Sequence, residues 1–339
     1  MSDRLATVER VLSVNPHPNA DRLDIIKVLG YDCIVGRDQY REGECIIFIQ
    51  PDSLLPTDRE WAAPLLRYTS RGRIRAVRLR GEWSMGLVCD LHTGASQPEG
   101  WEVDEGEDMT EELGLTKFEP ALPNNTQARG LLPFAIPKTD EERWQNIRDM
   151  PYGEPVDVTL KIDGQSFTAY VMHDQTGSDP LGQRGITSRS LDLKMGEGFN
   201  SNWHEVERKY DVLNKLTDYC QKHNVCLALR GEVYGTGIQA FESNPHAKME
   251  RDVAFYSVYD IKAHRYIDPG EEHDVFRVCK ELDLPTVPAP EAGVPLTPEL
   301  IQKYDSQLEE LYGVPFEGVV VRGKGFSFKI INKHYDMRK

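Results

Sequence analysis

The stretch Val156-Asp157-Val158-Thr159-Leu160-Lys161-Ile162-Asp163-Gly164 decides how the second half of the chain is interpreted. The apolar run from Val156 predicts a strand that ends at Lys161, and Gly164 allows a turn without a Cβ clash. Residues two apart on an extended chain share a face, so Lys161 and Asp163 point the same way. The stretch therefore sets a lysine beside a carboxylate on one wall of a site, although a KxDG pattern alone is a weak signal.

Two later segments carry further carboxylates. Arg230-Gly231-Glu232 begins an alternating run in which Glu232 could hold a ribose hydroxyl or a metal-bound water. Glu317 precedes a valine-rich strand, Gly318 to Arg322, whose burial would leave the carboxylate free at its start. Taken separately, each glutamate is more often a surface or ion-paired group. Their order after Lys161 favours a shared site.

A lysine in such a site can act as a nucleophile. Free lysine has a pKa of ~10.4, so only about one molecule in a thousand is neutral near pH 7. Bound Mg²⁺ and nearby Lys or Arg disfavour the ammonium and leave an amine that can attack phosphorus. The pattern therefore indicates nucleotidyl transfer through a phosphoramidate on Lys161.

Composition sets the outer limits of this interpretation. At 339 residues the chain is long enough for two domains. Hydrophobic residues make up 39%, with no apolar run near the ~20 residues of a membrane span and no secretory signal, so we expect a soluble cytoplasmic protein. The six cysteines form no CxxC pair, which predicts reduced, mostly buried thiols and no metal held by sulfur.

Charge is distributed unevenly along the chain. The net charge of −15 argues against a general nucleic-acid coat, because phosphate would be repelled. Residues 102–112 carry seven acids and no base, whereas residues 67–80 carry six arginines and no acid. Alternation from Arg71 to Arg80, with one change of phase, predicts a basic strand on a small barrel that could contact RNA. A solvated strand face paired with neighbouring acids is the alternative.

The N-terminal third predicts a small all-β barrel or sandwich, because short apolar runs alternate with turn residues. The His17-Pro18-Asn19-Ala20-Asp21-Arg22-Leu23 segment resembles the opening of OB-fold modules that bind tRNA. OB barrels hold single strands through a basic groove and aromatic stacking. Trp61, Tyr68 and Trp83 could supply that stacking, or could pack in a core.

We predict an OB-like RNA-binding domain over 1–118, a linker rich in Pro, Asn and Gly over 119–137, and a second domain over 138–339. Thr139 to Arg143 is expected to open a helix, with Thr139 and Glu142 as a capping box. The second domain is α+β, with mostly antiparallel sheets flanked by helices. Its predicted strands are Val156 to Lys161, Ser166 to His173, Cys226 to Tyr234, Val253 to Ile261, Gly318 to Arg322 and Phe326 to Ile331, and its predicted helices are Asn202 to His223, Glu271 to Leu282 and Pro298 to Tyr312.

Together these segments resemble the covalent nucleotidyltransferase superfamily of ATP-dependent ligases and capping enzymes. They are most similar to ATP-dependent RNA ligases of the clade with an N-terminal OB-fold domain. The resemblance implies that Lys161 is the adenylated nucleophile and that Arg189, in Thr187-Ser188-Arg189-Ser190, contacts the nucleotide. It also implies that Phe255 stacks on the adenine, with ordinary core packing as the alternative.

Further roles follow from the same resemblance. Lys329 fits the second lysine of the fifth family motif, which contacts the α-phosphate, but Ser327 stands where the first lysine is expected. Whether Lys324 or Lys333 takes over, or one lysine suffices, is left open. Arg143 would meet the β- and γ-phosphates of ATP, a role that suits its forked geometry.

The implied activity is ATP-dependent sealing of RNA 3′-hydroxyl and 5′-phosphate ends through lysyl-AMP and an RNA-adenylate. The expected cofactors are ATP and Mg²⁺, with Mn²⁺ also accepted, and the expected partner is RNA, with no membrane and no obligate protein partner. The alternatives are a DNA ligase or capping-type enzyme and a non-catalytic tRNA-binding OB protein. The catalytic residues would be Lys161, Asp163, Glu232, Glu317 and Lys329, with Asp163, Glu232 and Glu317 holding the metal.

Overall fold

A computed structural model describes residues 4–91, 104–119, 127–172, 183–306, 316–332 and 335. The chain divides into two compact units, Met1–Ala121 and Leu122–Lys339. In the described part of the chain, no helix is long and apolar enough to cross a membrane. None of the six cysteines, all of which lie in the described ranges, forms a disulfide, and all except the half-buried Cys45 are buried.

The first unit is built on a five-stranded antiparallel sheet in the order β3-β2-β1-β4-β8. Its strands are β1 (Ala6–Pro16), β2 (Leu23–Val28), β3 (Tyr31–Gly36), β4 (Cys45–Ile49), β5 (Ser53–Leu54), β6 (Val77–Leu79), β7 (Glu82–Ser84), β8 (Leu87–Cys89) and β9 (Thr116–Lys117). The long β1 pairs with both β2 and β4, and its register shifts between Val11 and Ser13. Such a bulge bends a strand, so one strand can serve both sides of a barrel.

The barrel is nearly closed. The Met85 amide donates to the Asp32 carbonyl at 2.9 Å, and the Ile34 amide donates to the Ser84 hydroxyl at 3.0 Å, which joins β3 to the β7–β8 region. The two faces of β4 pack in different clusters: Phe48 lies with apolar side chains of β1, β2 and β3, whereas Ile47 lies with Leu5 and Val8 in a second cluster. The predicted OB-like barrel is confirmed.

The arginine-rich segment is not the predicted continuous strand. Val77–Leu79 forms a short strand paired to Glu82–Ser84, Arg73 forms isolated bridges with Leu54 and Ser70, and two tight turns interrupt the segment. Arg71 and Arg80 have φ of 54° and 52°, and each precedes a glycine that also has positive φ. Residue pairs of this kind form the two-residue turns of hairpins, with glycine favoured at the second position. The prediction was wrong because two Arg-Gly pairs were interpreted as strand residues.

The second unit contains a seven-stranded sheet, β10-β14-β13-β12-β15-β16-β17, and a four-stranded sheet, β18-β11-β19-β20, both antiparallel. The strands are β10 (Ala128–Leu131), β11 (Pro155–Lys161), β12 (Gln165–Met172), β13 (Gln183–Thr187), β14 (Leu191–Leu193), β15 (Leu227–Tyr234), β16 (Asp252–Asp260), β17 (Arg265–Tyr266), β18 (Glu291–Pro295), β19 (Gly318–Gly323) and β20 (Phe326–Ile331). The helices are α1 (Asn202–Tyr210), α2 (Val212–His223), α3 (Val275–Leu282) and α4 (Pro298–Ser306). The predicted α+β class is confirmed, and all six predicted strands are found within two residues of their expected bounds.

The helices cover the outer faces of the sheets. Side chains of α1, α2 and α3 form the largest core with β12 and β15, whereas α4 packs on the four-stranded sheet. The predicted single helix from Asn202 to His223 is two helices, because Asp211 adopts a left-handed φ of 52° between them. Helix α3 begins only after Asp274, whose side chain accepts from the Arg277 amide and caps it.

The segment from Thr139 to Arg143 is extended, so the predicted capped helix is wrong there. The Lys329 amide donates to the Glu142 carbonyl at 2.7 Å, and Arg143 forms a parallel bridge with Lys329. The Glu142 carbonyl, which a helix would use internally, instead accepts from β20. A single 3₁₀ turn, Trp144–Asn146, follows.

Candidate active site

Lys161 and Glu317 meet because their strands pair. Lys161 at the end of β11 lies opposite Gly318 at the start of β19, which brings the preceding Glu317 beside it. The Lys161 Nζ to Glu317 Oε2 distance is 2.5 Å. Gly318 has φ of 154°, and a Cβ there would overlap the Ile330 carbonyl, so glycine is required for β19 and β20 to approach.

Gly164 joins this corner to the seven-stranded sheet. A Cβ on Gly164 would overlap the Val233 carbonyl, so the turn after Lys161 can lie against β15 only with glycine at this position. The Gly164 amide also donates to the Glu232 carboxylate. The KxDG turn thereby brings Glu232 to the group already formed by Lys161 and Glu317.

Two residues that the sequence analysis missed fix Asp163. The Tyr335 hydroxyl donates to Asp163 Oδ2 at 2.8 Å, and Asn244, which is fully buried, donates from Nδ2 to the Asp163 carbonyl at 3.0 Å. Asn244 also donates to the Gln239 carbonyl at 3.0 Å, so it bridges two segments of the chain. Tyr335 carried no local signal in the sequence.

The charges of this group are strongly coupled. Burial alone would lower the pKa of Lys161, but Glu317, Glu232 and Asp163 together raise it, so the amine is held as an ammonium. Burial, reinforced by the neighbouring carboxylates, raises the pKa of Glu232 to about 8 and that of Asp163 to about 6. Three carboxylates share one cation, which makes further positive charge favourable here.

Oxygen donors of this kind suit a hard divalent cation. No group of three or more His, Cys, Asp or Glu side chains in the described ranges is arranged to hold a metal ion on its own. Mg²⁺ usually keeps several waters and takes only one or two protein carboxylates. Asp163, Glu232 and Glu317 therefore fit a hydrated cation better than a fully protein-ligated one.

A second group of charges surrounds Lys329 on β20. Its Nζ lies 3.2 Å from Asp140 Oδ1, and Arg189 Nη2 lies 3.7 Å from Asp140 Oδ2. Burial lowers the pKa of Lys329; Asp140 opposes this, and the nearby Arg143 and Lys161 lower it further. The structure thus brings together Lys329, Arg189 and Arg143, three cations predicted to contact the nucleotide.

The position of the missing lysine is occupied by a hydrogen-bonded serine. Ser327 donates to Glu141 Oε2 at 2.5 Å, and Arg322 donates to Glu141 Oε1 at 2.9 Å. Lys324 is exposed at the tip of the β19–β20 hairpin, and Lys333 lies outside the described residues.

Phe255 lies away from the carboxylates. Its ring is fully buried against Phe167 in the helix-facing core, with ring centroids 5.9 Å apart. Glu232 pairs with Ala254, so Ala254 and Tyr256 share the face of Glu232 and Phe255 points to the opposite face. This placement contradicts the predicted adenine-stacking role. Tyr256 is an aromatic residue of β16 that lies on the Glu232 side.

Two family models match the chain. An OB-fold domain matches residues 5–91, and an RNA ligase matches residues 154–331, which is more than half of the sequence. The chain belongs to the RNA ligase family. No curated protein sequence matches it.

Solved structures of an RNA ligase from Naegleria gruberi resemble this ligase over almost its whole length. A lysine-to-methionine mutant with AMP and Mn is 26% identical, with a TM-score of 0.75, and covers 98% of each chain. A lysine-to-alanine mutant with ATP and Mn is 27% identical, with a TM-score of 0.75 and the same coverage. The form with pyrophosphate (PPi) is 27% identical, with a TM-score of 0.74, and covers 98% of this chain and 97% of that one.

Proposed function

We propose that this ligase uses ATP and a divalent cation to seal RNA 3′-hydroxyl and 5′-phosphate ends, with AMP carried on Lys161. The observation that carries the proposal is the pairing of Lys161 with Glu317, beside Glu232 and Asp163 and next to the cations around Lys329. Its relatives were solved with ATP, AMP, pyrophosphate and Mn, which supports nucleotide chemistry at this group.

In the first step the Lys161 amine attacks the α-phosphorus of ATP. A nitrogen–phosphorus bond forms as the bond to pyrophosphate breaks, and phosphoryl transfer of this kind depends mainly on alignment and charge neutralisation. The ammonium must first lose a proton, and Glu317 Oε2 at 2.5 Å is placed to accept it. Lys329, Arg189 and Arg143 would neutralise the phosphates and the departing pyrophosphate.

Asp163, Glu232 and Glu317 are the residues that would hold the hydrated cation. A bound divalent cation supplies positive charge that stabilises phosphate oxygens and favours the neutral form of a nearby amine. The rest of the first step depends on the side chains already described.

The next two steps use RNA. AMP moves from Lys161 to the 5′-phosphate of RNA, and the 3′-hydroxyl of the other end then attacks that phosphate and releases AMP. The barrel of the first unit would hold the RNA, because OB folds bind single strands and irregular ends.

Labelling with α-³²P-ATP and Mg²⁺ tests the proposal. The wild-type ligase should keep label after denaturation, Lys161→Ala should keep none, and Lys324→Ala should label normally. Parallel reactions with GTP, and sealing assays on nicked RNA and nicked DNA, separate RNA ligation from capping and DNA ligation. Equal labelling of wild type and Lys161→Ala, or of neither, would overturn the proposal.

A further inference from the structure

The Asp140 carboxylate lies between Lys329 and Arg189 and pairs with both. Its two oxygens face different cations, Oδ1 toward Lys329 at 3.2 Å and Oδ2 toward Arg189 at 3.7 Å. Its side chain is 41% exposed, so it lies at the open edge of the group rather than in the core. Asp140 therefore engages the cations that the proposed function assigns to the phosphates of ATP.

The backbone around Asp140 is fixed on both sides. On the N-terminal side, the Pro137 carbonyl accepts from the buried Arg230 at 2.7 Å, and the Thr139 hydroxyl lies 3.0 Å from that of Ser166. On the C-terminal side, Glu141 is held by Arg322 and Ser327. Asp140 can therefore leave its cations by turning its side chain, without movement of the segment that carries it.

A carboxylate and a phosphate compete for the same donors. Both accept charge-assisted hydrogen bonds from lysine and arginine, and two anions this close repel each other. A phosphate that binds Lys329 and Arg189 together must take the place of the Asp140 carboxylate. The pairs of Asp140 are partly exposed, so they are weak enough to be exchanged.

We propose that Asp140 is a positioning residue that acts as an internal counter-anion for the phosphate site. It holds Lys329 and Arg189 in place before ATP arrives, and it pairs with them again as pyrophosphate departs. It therefore weakens binding of both phosphate ligands and speeds product release. This inference rests on the proposed function, because it assigns Lys329 and Arg189 to phosphate.

Calorimetric titration with inorganic pyrophosphate and with ATP tests the inference. Asp140→Asn should bind pyrophosphate about tenfold more tightly than wild type, because one nearby negative charge is removed. The KM for ATP should fall in the labelling reaction, while kcat falls as pyrophosphate release slows. Asp140→Glu should restore weak binding, and Asp149→Asn, which removes the same charge from an exposed position on the same unit, should change nothing.

The outcomes separate the two proposals. If wild type binds ATP and pyrophosphate but Asp140→Asn binds them equally well or more weakly, the inference is overturned. Asp140 would then only fix the position of the Lys329 side chain. If wild type binds neither ligand, the proposed function fails and the inference fails with it. Asp140→Ser, which removes the charge with a smaller side chain, provides the same comparison should Asp140→Asn not fold.

Discussion

Lys161 and Lys329 lie on the same four-stranded sheet, separated by β19, yet their surroundings are opposite. Three carboxylates surround Lys161 and raise its pKa despite burial. Lys329 has Asp140 on one side and other cations nearby, and burial lowers its pKa. The surroundings therefore favour the charged form of Lys161 and disfavour the charged form of Lys329, although the two residues are of the same type.

The difference shows that a lysine can be correctly placed for a reaction and still be in the wrong protonation state for it. Lys161 has the neighbours of a nucleophile but remains protonated until positive charge offsets its carboxylates. Lys329 loses a proton more easily but lies among groups suited to binding phosphate. We infer that binding of a cation with ATP, rather than the resting environment, prepares Lys161 for attack.

The largest effect is expected when Lys329 is removed. We expect Lys329→Ala to slow enzyme–AMP formation about 100- to 1000-fold, because it removes one donor to developing phosphate charge. Lys324→Ala is the matched control and should react at the wild-type rate, since Lys324 is exposed at the hairpin tip. Rapid-quench labelling measures both. Equal slowing in the two variants would mean that Lys324 supplies the charge expected at Ser327.

A second test shifts the pH at which Lys161 becomes reactive. Enzyme–AMP formation requires the neutral amine, so its rate should rise with pH until Lys161 is deprotonated. Glu317→Gln removes the carboxylate that most raises the pKa of Lys161, so the midpoint should move to lower pH. Glu299→Gln, an exposed change on α4, should leave the midpoint unaltered. An upward shift in Glu317→Gln would contradict this account.

A third test sorts the arginines of the first unit. Arg67 and Arg75 are exposed, whereas Arg73 pairs with Asp52 at 2.6 Å and lies over the Phe118 ring. Replacing Arg67 and Arg75 together with alanine should weaken RNA sealing about tenfold and reduce the salt dependence of RNA binding by about two in slope. Enzyme–AMP formation should be unchanged.

Arg73→Ala provides the contrast within that test. It should lower the free energy of unfolding by about 1 kcal/mol, because it removes an ion pair and a cation–π contact. Sealing should fall only in proportion to the folded fraction. If Arg73→Ala weakened RNA binding more than the double variant, Arg73 rather than Arg67 and Arg75 would be the residue that contacts RNA.

The smallest effect concerns stability around Glu232. Its pKa rises from an ordinary value of 4.5 to about 8 in the folded protein, so the folded state binds this proton more tightly than the unfolded chain. Stability should therefore fall as pH rises from about 4.5 to about 8. Glu232→Gln, which we expect to be inactive, should be more stable than wild type above pH 8 and close to wild type at pH 5. Thermal unfolding at both pH values checks this, and a variant less stable at both would contradict it.

Local patterns predicted the strands well because each is a short apolar run bounded by turn residues. Patterns failed where a distant partner decides the structure: Thr139 to Arg143 has a helix signature, but β20 takes its backbone hydrogen bonds. The turns in the arginine-rich segment did carry a local signal, the two Arg-Gly pairs, but the segment was interpreted as a strand.

The same distinction holds for the site. Lys161, Glu232 and Glu317 could be placed together from their order and strand positions. Phe255 could not be distinguished from Tyr256, because a shift of one residue reverses the face of a strand. The Asp140 and Tyr335 contacts join residues 189 and 172 positions apart, so nothing nearby in the sequence indicates them.

The pairing of β11 with β19 brings Lys161 beside Glu317, 156 positions away in the chain. During synthesis, Lys161 therefore leaves the ribosome long before Glu317 and Lys329 are made, since domains form from the N-terminal side first. A nascent or truncated chain that stops before Glu317 contains Lys161 but lacks the carboxylate that pairs with it. Under the proposed function, we expect such a chain not to react with ATP, so ligase activity would begin only after these last strands have been translated.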